Sequence, residues 1–340
     1  MATPSNDMRI IRDQLLFRRE RLQEALAQSE TAKLVQLMGD VDRALDRVAN
    51  GTFGECLACH GTVDDERIIA DPLVSLCIDC LSEAQRRQLE RDIELANQIQ
   101  KGLLPRQDFA VANWNVSYHY EPAGLVSGDY CDLIEDRRNG DGTTGLYFIL
   151  GDVSGKGIAA AMLMSNLHAM FRVLAQAELS LCEIVQRASR VFCESTLPTQ
   201  YATLVVGRAD NTGAVEICNA GHLPVLLARG NEITKLDSTG MPLGLFCEQE
   251  FTVTRTRLGS GHSLILYTDG VSETEDASGR QYGVESIQAL VNREPNAEAD
   301  TLVQACRKHL GEFRGNGPRM DDETLMVLQY AGVATKDRAA

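Results

Sequence analysis

Apolar and polar positions recur with two different periods along this chain, and the change of period divides it. Leu34, Leu37, Val41, Ala44 and Val48 keep three- and four-residue spacings, which puts them on one stripe of a helix. An Arg-, Glu- and Leu-rich stretch from about residue 7 to 29 precedes it, so a helical hairpin is expected. Gln28-Ser29-Glu30-Thr31 reads as the turn, with Ser29 or Thr31 as cap. Asn50-Gly51-Thr52-Phe53-Gly54 stops the second helix. A third helical segment, Ser82 to Leu104, carries Leu89, Ile93, Ala96, Ile99 and Leu103 as a narrow stripe before Pro105. A stripe that narrow suits a two-helix seam better than a broad core.

Beyond residue 105 strands and helices alternate without a strict βαβ repeat. Strands are expected near 115–121, 145–151, 201–208, 213–218, 224–228, 252–258, 263–268 and 324–330. Helices are expected near 157–175, 180–196, 283–292 and 298–312. Leu146-Tyr-Phe-Ile-Leu150 is short, rich in aromatic and branched residues and bounded by glycines, the pattern of a buried strand. Hairpin spacing around Asn211-Thr212-Gly213 points to antiparallel pairing, and the fold class is α+β.

The chain has 340 residues, enough for two domains, one of them of about 200 residues with ample core. A net charge of −15 argues against non-specific affinity for nucleic acid or membrane. Met1-Ala-Thr-Pro-Ser-Asn-Asp7 lacks the basic and apolar regions of a signal peptide, and no uncharged apolar run reaches ~18 residues. A cytoplasmic protein with no membrane span is expected. Cys56-Leu-Ala-Cys59 and Cys77-Ile-Asp-Cys80 stand seventeen residues apart, the spacing of a four-cysteine zinc ribbon. His60 is read as a solvated neighbour of that site. Cys131, Cys182, Cys193, Cys218, Cys247 and Cys306 are scattered and are taken as reduced core residues.

The candidate chemistry centres on Gly151-Asp-Val-Ser-Gly-Lys-Gly157, which joins a buried strand to an apolar helix. A phosphate-cradling P-loop is excluded, because Leu150 and Gly157 stand where that motif needs a Gly and a Ser or Thr. Alone, Asp152 reads as well as a helix cap as it does as a metal or catalytic carboxylate. Asp129, Asp269 and the pair Asp321-Asp322 also lie beside strand-like runs. Such a set of carboxylates, without Cys or His, suits Mg²⁺ or Mn²⁺.

In order, Ser127-Gly-Asp-Tyr-Cys-Asp132, Gly151-Asp-Val-Ser-Gly-Lys-Gly157, Asn219-Ala-Gly-His222, Tyr267-Thr-Asp-Gly-Val271 and Asp321-Asp-Glu-Thr324 resemble the motifs of metal-dependent Ser/Thr protein phosphatases. The bacterial SpoIIE/RsbU branch is the most similar, over about residues 95 to 330. The resemblance implies two packed, mainly antiparallel sheets flanked by helices, and hydrolysis of phosphoserine or phosphothreonine with two Mn²⁺ or Mg²⁺ ions. Such a pair, ~3.5–4 Å apart, activates a water and clamps the phosphate. Carried over by motif, Asp152 bridges the ions, the Val153 carbonyl is a further ligand, and Asp129, Asp269 and Asp321 complete the set. Asp129 and Asp152 are the catalytic carboxylates. Asp322 joins the metal set in a supporting place, since the wider family often has Asn there. Asp132 is either an orienting or a structural residue, and Lys156 either meets phosphate or is solvated. His222 is read as satisfying a turn and His168 as core.

By the same resemblance, the substrate is an anti-sigma-factor antagonist of the STAS type in a partner-switching pathway. Residues 35 to 85 are similar to the DksA/TraR zinc-finger proteins, and Cys56, Cys59, Cys77 and Cys80 are assigned one structural Zn²⁺. That resemblance implies RNA polymerase as an alternative partner, with the phosphatase fold accessory. Domains are expected at 1–81 (helical hairpin and zinc module), 82–104 (helical linker) and 105–332 (phosphatase), with a flexible tail at 333–340. The linker is expected to pair with its copy in a homodimer.

Overall fold

A computed structural model describes residues 7–28, 31–64, 67–68, 71–107, 109–111, 113–136, 145–197, 199–295 and 297–332. The expected tail at 333–340 lies outside them. The chain divides into two compact units, residues 1–92 and 93–340.

In the first unit, α1 (Asp7–Gln28) and α2 (Ala32–Asn50) form the expected hairpin. The Thr31 hydroxyl caps α2 by accepting from Leu34 N. Gly51 ends it in the left-handed region at φ 73°, a conformation open to glycine at little steric cost. Val41 and Ala44 are buried against Ile11, Leu15 and Leu22 of α1, and this small core continues into Cys56, Val63 and Ile68. The chain then enters α3 (Glu83–Lys101).

The second unit is a sandwich of two sheets in which every strand pair is antiparallel. Its strands are β1 (Ala110–Val111), β2 (Trp114–Glu121), β3 (Asp129–Asp136), β4 (Gly145–Val153), β5 (Ala202–Ala209), β6 (Ala214–Ala220), β7 (Val225–Arg229), β8 (Glu232–Leu236), β9 (Thr254–Arg257), β10 (Ser263–Tyr267) and β11 (Glu323–Tyr330). One sheet runs β1-β2-β11-β10-β7-β8 and the other β3-β4-β5-β6-β9. Helices α4 (Gly157–Leu174) and α5 (Leu181–Ser195) pack on the second sheet, α6 (Gly283–Arg293) and α7 (Ala299–Arg314) on the first.

Side chains alternate across a strand, so β4 shows why its apolar run is continuous. Leu146, Phe148 and Leu150 fill the space between the sheets, while Tyr147 and Ile149 face α4 and α5. β10 does the same, with Leu264 and Leu266 inward and Ile265 and Tyr267 toward α6 and α7. Helix α4 is long and apolar enough to span a membrane by length and composition, and its Ala160, Met164, Leu167 and Phe171 are buried in the core under the second sheet.

Several features depart from the sequence expectation, and β1 and β8 are strands where none is expected. The expected strands do not include β3, where Asp132 and Asp136 are buried and paired with Arg172 and Arg208. Cys193 and Cys247 are not reduced core residues: they form a disulfide with Cα atoms 5.5 Å apart. Cys193 lies half-buried in the last turn of α5 and Cys247 on an exposed loop, so neither is in an apolar cluster. Cys131, Cys218 and Cys306 are buried and free, as expected.

Candidate metal centre

The alternation that builds the core also aims the acids. Asp129 and Asp152 face each other in the β3–β4 register, and both share the inward parity of Cys131 and Leu150. They therefore project between the sheets at one end of the sandwich. From the opposite sheet, Thr268 and Thr324 have the inward parity of Leu266 and Met326 and reach the same point. Thr268 Oγ1 donates to Asp129 Oδ2 at 3.0 Å, Thr324 Oγ1 donates to the same oxygen, and Thr324 N donates to Thr268 Oγ1 at 3.0 Å. Both threonines stood inside the quoted motifs, yet no role was read for them.

Asp269 follows β10 in a helical turn, Asp269–Ser272, and Asp321-Asp322 immediately precede β11. These two segments touch at Gly270, where a Cβ would stand 2.0 Å from the Asp322 carbonyl oxygen. Only glycine permits that approach, and it brings Asp269 beside Asp321. Across the sandwich, Gly128 packs likewise: a Cβ there would meet Val153 O at 3.1 Å and Ala160 Cβ at 3.2 Å.

The carboxylates and their burial act on one another's charge. Burial, with the charges of Asp269, Asp321 and Asp322, pushes the Asp152 carboxyl up to about 7, against the pull of Lys156. Burial and the charge of Asp152 hold Asp129 well above the ordinary carboxylate range, although the two threonine hydroxyls oppose the shift. Asp269 is raised by burial and by Asp321. Lys156 Nζ sits 3.0 Å from Asp321 Oδ2 and donates to Met320 O at 2.8 Å. One lysine cannot neutralise so many acids, and an all-oxygen donor set short of cations fits hard divalent ions.

Asp322 is differently occupied. Its oxygens accept from Ala123 N at 2.7 Å and Gly128 N at 2.9 Å, which fixes the loop leading to Asp129. Gln100, at the end of α3 and 5% exposed, holds the same loop. Its side chain donates to Ser127 O at 2.7 Å and accepts from Ser127 N at 2.9 Å, while Ser127 Oγ accepts from Asp129 N at 3.0 Å. Sequence reasoning missed Gln100, whose only signal is a polar residue beside a hydrophobic stripe.

Asn219, His222 and Asp132 bond to neighbouring elements. Asn219 Oδ1 accepts from His222 N at 2.8 Å and closes the Asn219–His222 turn. His222 Nε2 donates to Tyr267 O at 3.1 Å, which leaves Nδ1 to accept from the Thr203 hydroxyl at 2.8 Å. Burial pushes His222 down to about 4, so it is neutral at pH 7. Asp132 takes a bidentate bond from Arg172, with His168 Nε2 at 3.7 Å, and ties β3 to α4.

In the first unit the Sγ atoms of Cys56, Cys59, Cys77 and Cys80 lie within 4.8 Å of one another. Cys77 N donates to Cys56 Sγ at 3.3 Å and Gly61 N to Cys59 Sγ at 3.4 Å. The backbone N–H groups of Cys77 and Cys59 pull the Cys56 thiol down to about 6, while the thiols of Cys59 and Cys77 push Cys80 up to about 12, a crowding of sulfurs that a divalent cation would relieve. His60 is exposed, in the left-handed turn of the first knuckle.

Residues 142–331 match the family described as Stage II sporulation protein E (SpoIIE), and residues 51–86 match the prokaryotic dksA/traR C4-type zinc finger. The chain is 26% identical to Protein IcfG of Synechocystis sp. over 268 residues, covering 70% of this chain and 41% of that protein. It is 22% identical to the phosphoserine phosphatase RsbU of Bacillus subtilis over 247 residues, covering 72% of this chain and 71% of that one. Among solved structures, the SiaA-PP2C domain of Pseudomonas aeruginosa shares the fold at a TM-score of 0.62 and 19% identity, covering 74% of this chain and all of that domain.

Proposed function

The chain belongs to the SpoIIE family, and from that premise we propose that it is a metal-dependent phosphoprotein phosphatase acting on phosphoserine or phosphothreonine of a regulatory protein. The observation that carries the reading is that Asp129, paired with Asp152 in the β3–β4 register, is bonded from the opposite sheet by Thr268, which adjoins Asp269, and by Thr324, which follows Asp321-Asp322 in sequence. In it, Asp152, Asp129, Asp269, Asp321 and the Val153 carbonyl would hold Mn²⁺ or Mg²⁺, with Asp152 as the shared carboxylate. Asp322 keeps the Asp129 loop in place. When bound, the ions supply a nucleophilic water at neutral pH and offset charge on the phosphoryl oxygens. The protein holds Asp129 and Asp152 on two paired strands and Asp269 and Asp321 at the ends of two others, and Thr268 and Thr324 fix the rotamer of Asp129.

The substrate in this reading is a phosphorylated STAS-type anti-sigma-factor antagonist, in line with the similarity to RsbU. One zinc ion on Cys56, Cys59, Cys77 and Cys80 staples the first unit. Helix α3 pairs with its copy in a homodimer, a reading supported by Leu95 and Ile99, which are 56% and 60% exposed on it. The alternative, RNA polymerase binding, draws on the zinc-finger match alone. The test is release of phosphate from a phosphoserine-bearing STAS protein and from a phosphotyrosine peptide, each with Mn²⁺. The proposal expects turnover of the first and little of the second. No turnover of either, by folded and metal-loaded protein, would refute it.

A further inference from the structure

The Cys193–Cys247 bond ties the last turn of α5 to the loop between β8 and β9, across 54 residues of sequence. That loop is anchored at its two ends. Thr239 N and Gly240 N donate to Asn219 O at 2.8 and 3.0 Å, and Phe251 is buried under α5. Between these anchors, residues 245–248 are exposed, Leu245 and Phe246 among them. The disulfide pins this exposed arc at Cys247, and Gln249, whose Nε2 donates to Met241 O and Pro242 O at 3.2 Å, closes its base.

From this arc a short path of hydrogen bonds leads to the acids. Leu243 and Ala202 exchange backbone bonds at 2.8 and 2.9 Å. Gly244, in the left-handed region at φ 89°, lies so close to Phe192 and Gln200 that a Cβ would stand 3.0 and 2.9 Å from them. The residue next to Ala202 is Tyr201, whose N donates to Ser154 Oγ at 2.9 Å while Ser154 N donates to Tyr201 O at 2.9 Å. Ser154 is two residues from Asp152 and adjoins Val153.

We propose that Cys193–Cys247 is a thiol–disulfide modification site, opened by a small dithiol, whose oxidised form holds the turn that presents Asp152 and Val153. The inference rests on the phosphatase reading for its functional consequence and on the bond alone for its chemistry. Cys247 is the exposed sulfur and the point of attack. A dithiol thiolate attacks Cys247 Sγ, the Sγ–Sγ bond breaks, and Cys193 leaves as a thiolate that takes up a proton. The reductant's second thiol then displaces Cys247 from the mixed disulfide. The products are two protein thiols and one cyclic disulfide, so two electrons pass from dithiol to protein. Reduction frees residues 245–248, slackens the Leu243–Ala202 pair and loosens Ser154, which weakens the hold on divalent ions.

The experiment combines peptide mapping with metal-activation curves on the full chain. Air-equilibrated protein, alkylated before digestion, should yield the 193–247 cross-linked peptide, and dithiothreitol should convert it to two alkylated peptides. Reduced wild type should need about fivefold or more Mn²⁺ for half-maximal hydrolysis of p-nitrophenyl phosphate, the lower end of the range for coupled sites. The Cys193→Ser, Cys247→Ser double variant should behave as reduced wild type and be indifferent to dithiothreitol, which separates this bond from the zinc cysteines. Free thiols at both positions in air-equilibrated protein would overturn the site. Equal Mn²⁺ requirements for the reduced and oxidised forms would overturn the coupling. Absence of hydrolysis in every form would instead sink the phosphatase reading, with the mapping result still deciding the bond.

Discussion

Replacing Gln100 by Leu removes two hydrogen bonds without changing side-chain volume much, and the structure gives the size of the effect. Ser127 N and Ser127 O both lose their partner, and Ser127 is fully buried. A buried polar group left unsatisfied costs about 1–3 kcal/mol, so two set a scale of about 2–6 kcal/mol. The lower part of that range applies, because the neighbouring Leu125 is 54% exposed and the loop can relax toward water. A loss of about 3 kcal/mol lowers Tm by roughly 6–12 °C in a domain of this size. The chain's one tryptophan, Trp114, is 1% exposed in the sandwich core, so its fluorescence follows unfolding of the second unit without the first. The same variant should need more Mn²⁺ for half-maximal activity, since Ser127 Oγ orients Asp129 N. Gln98→Leu, an exposed position two residues away on α3, should leave both readings unchanged. A Gln100→Leu protein with wild-type Tm and wild-type Mn²⁺ dependence would refute the reasoning.

Three further outcomes are expected. Lys156→Ala should lower the Mn²⁺ concentration needed for half activation, because a cation 3.0 Å from Asp321 competes for that carboxylate; a raised requirement would count against Asp321 as a ligand. His222, held near 4 in the fold by burial, contributes stability that is complete above its unfolded pKa of about 6.5 and is lost as pH falls toward 4, on the order of 3 kcal/mol in all. Thermal scans from pH 7.5 to 4.5 should show that loss, and a His222→Asn variant should show a shallower slope; identical slopes would remove His222 as its source. Cys56→Ser should release the zinc and unfold the first unit while Trp114 fluorescence stays native, since small zinc modules draw folding free energy from the metal; a folded, zinc-free first unit by hydrogen exchange would contradict this.

How much of this was legible in the sequence differs from element to element. β4 and β10 could be read because both of their faces are buried, so 146–150 and 264–267 are unbroken apolar runs and the pattern survives without knowledge of partners. β3 could not, because its charges are satisfied by Arg172 and Arg208, which are 40 and 72 residues away. Local reading sees four acids in eight residues and no partner for them. The glycine-flanked acids stood out because Gly128 and Gly270 mark close approaches that leave a trace in residue type. Gln100 leaves none, since its value depends on where Ser127 falls in space. The Cys193–Cys247 pairing belongs to the same class, as spacing alone does not fix connectivity.

The most direct test of the four-acid centre is hydrolysis of p-nitrophenyl phosphate against Mn²⁺ concentration, for wild type and Asp152→Asn side by side. The substitution keeps the volume and removes the charge that raises Asp129 and is itself acted on by Asp269 and Asp321. Wild type is expected to be inert without divalent metal and to saturate as Mn²⁺ rises. Asp152→Asn is expected to fold, by Trp114 fluorescence, and to lose more than the about 10–100-fold that removing an outer partner of a metal site costs. Turnover by folded Asp152→Asn within a few-fold of wild type, or wild-type turnover indifferent to Mn²⁺, would contradict the account.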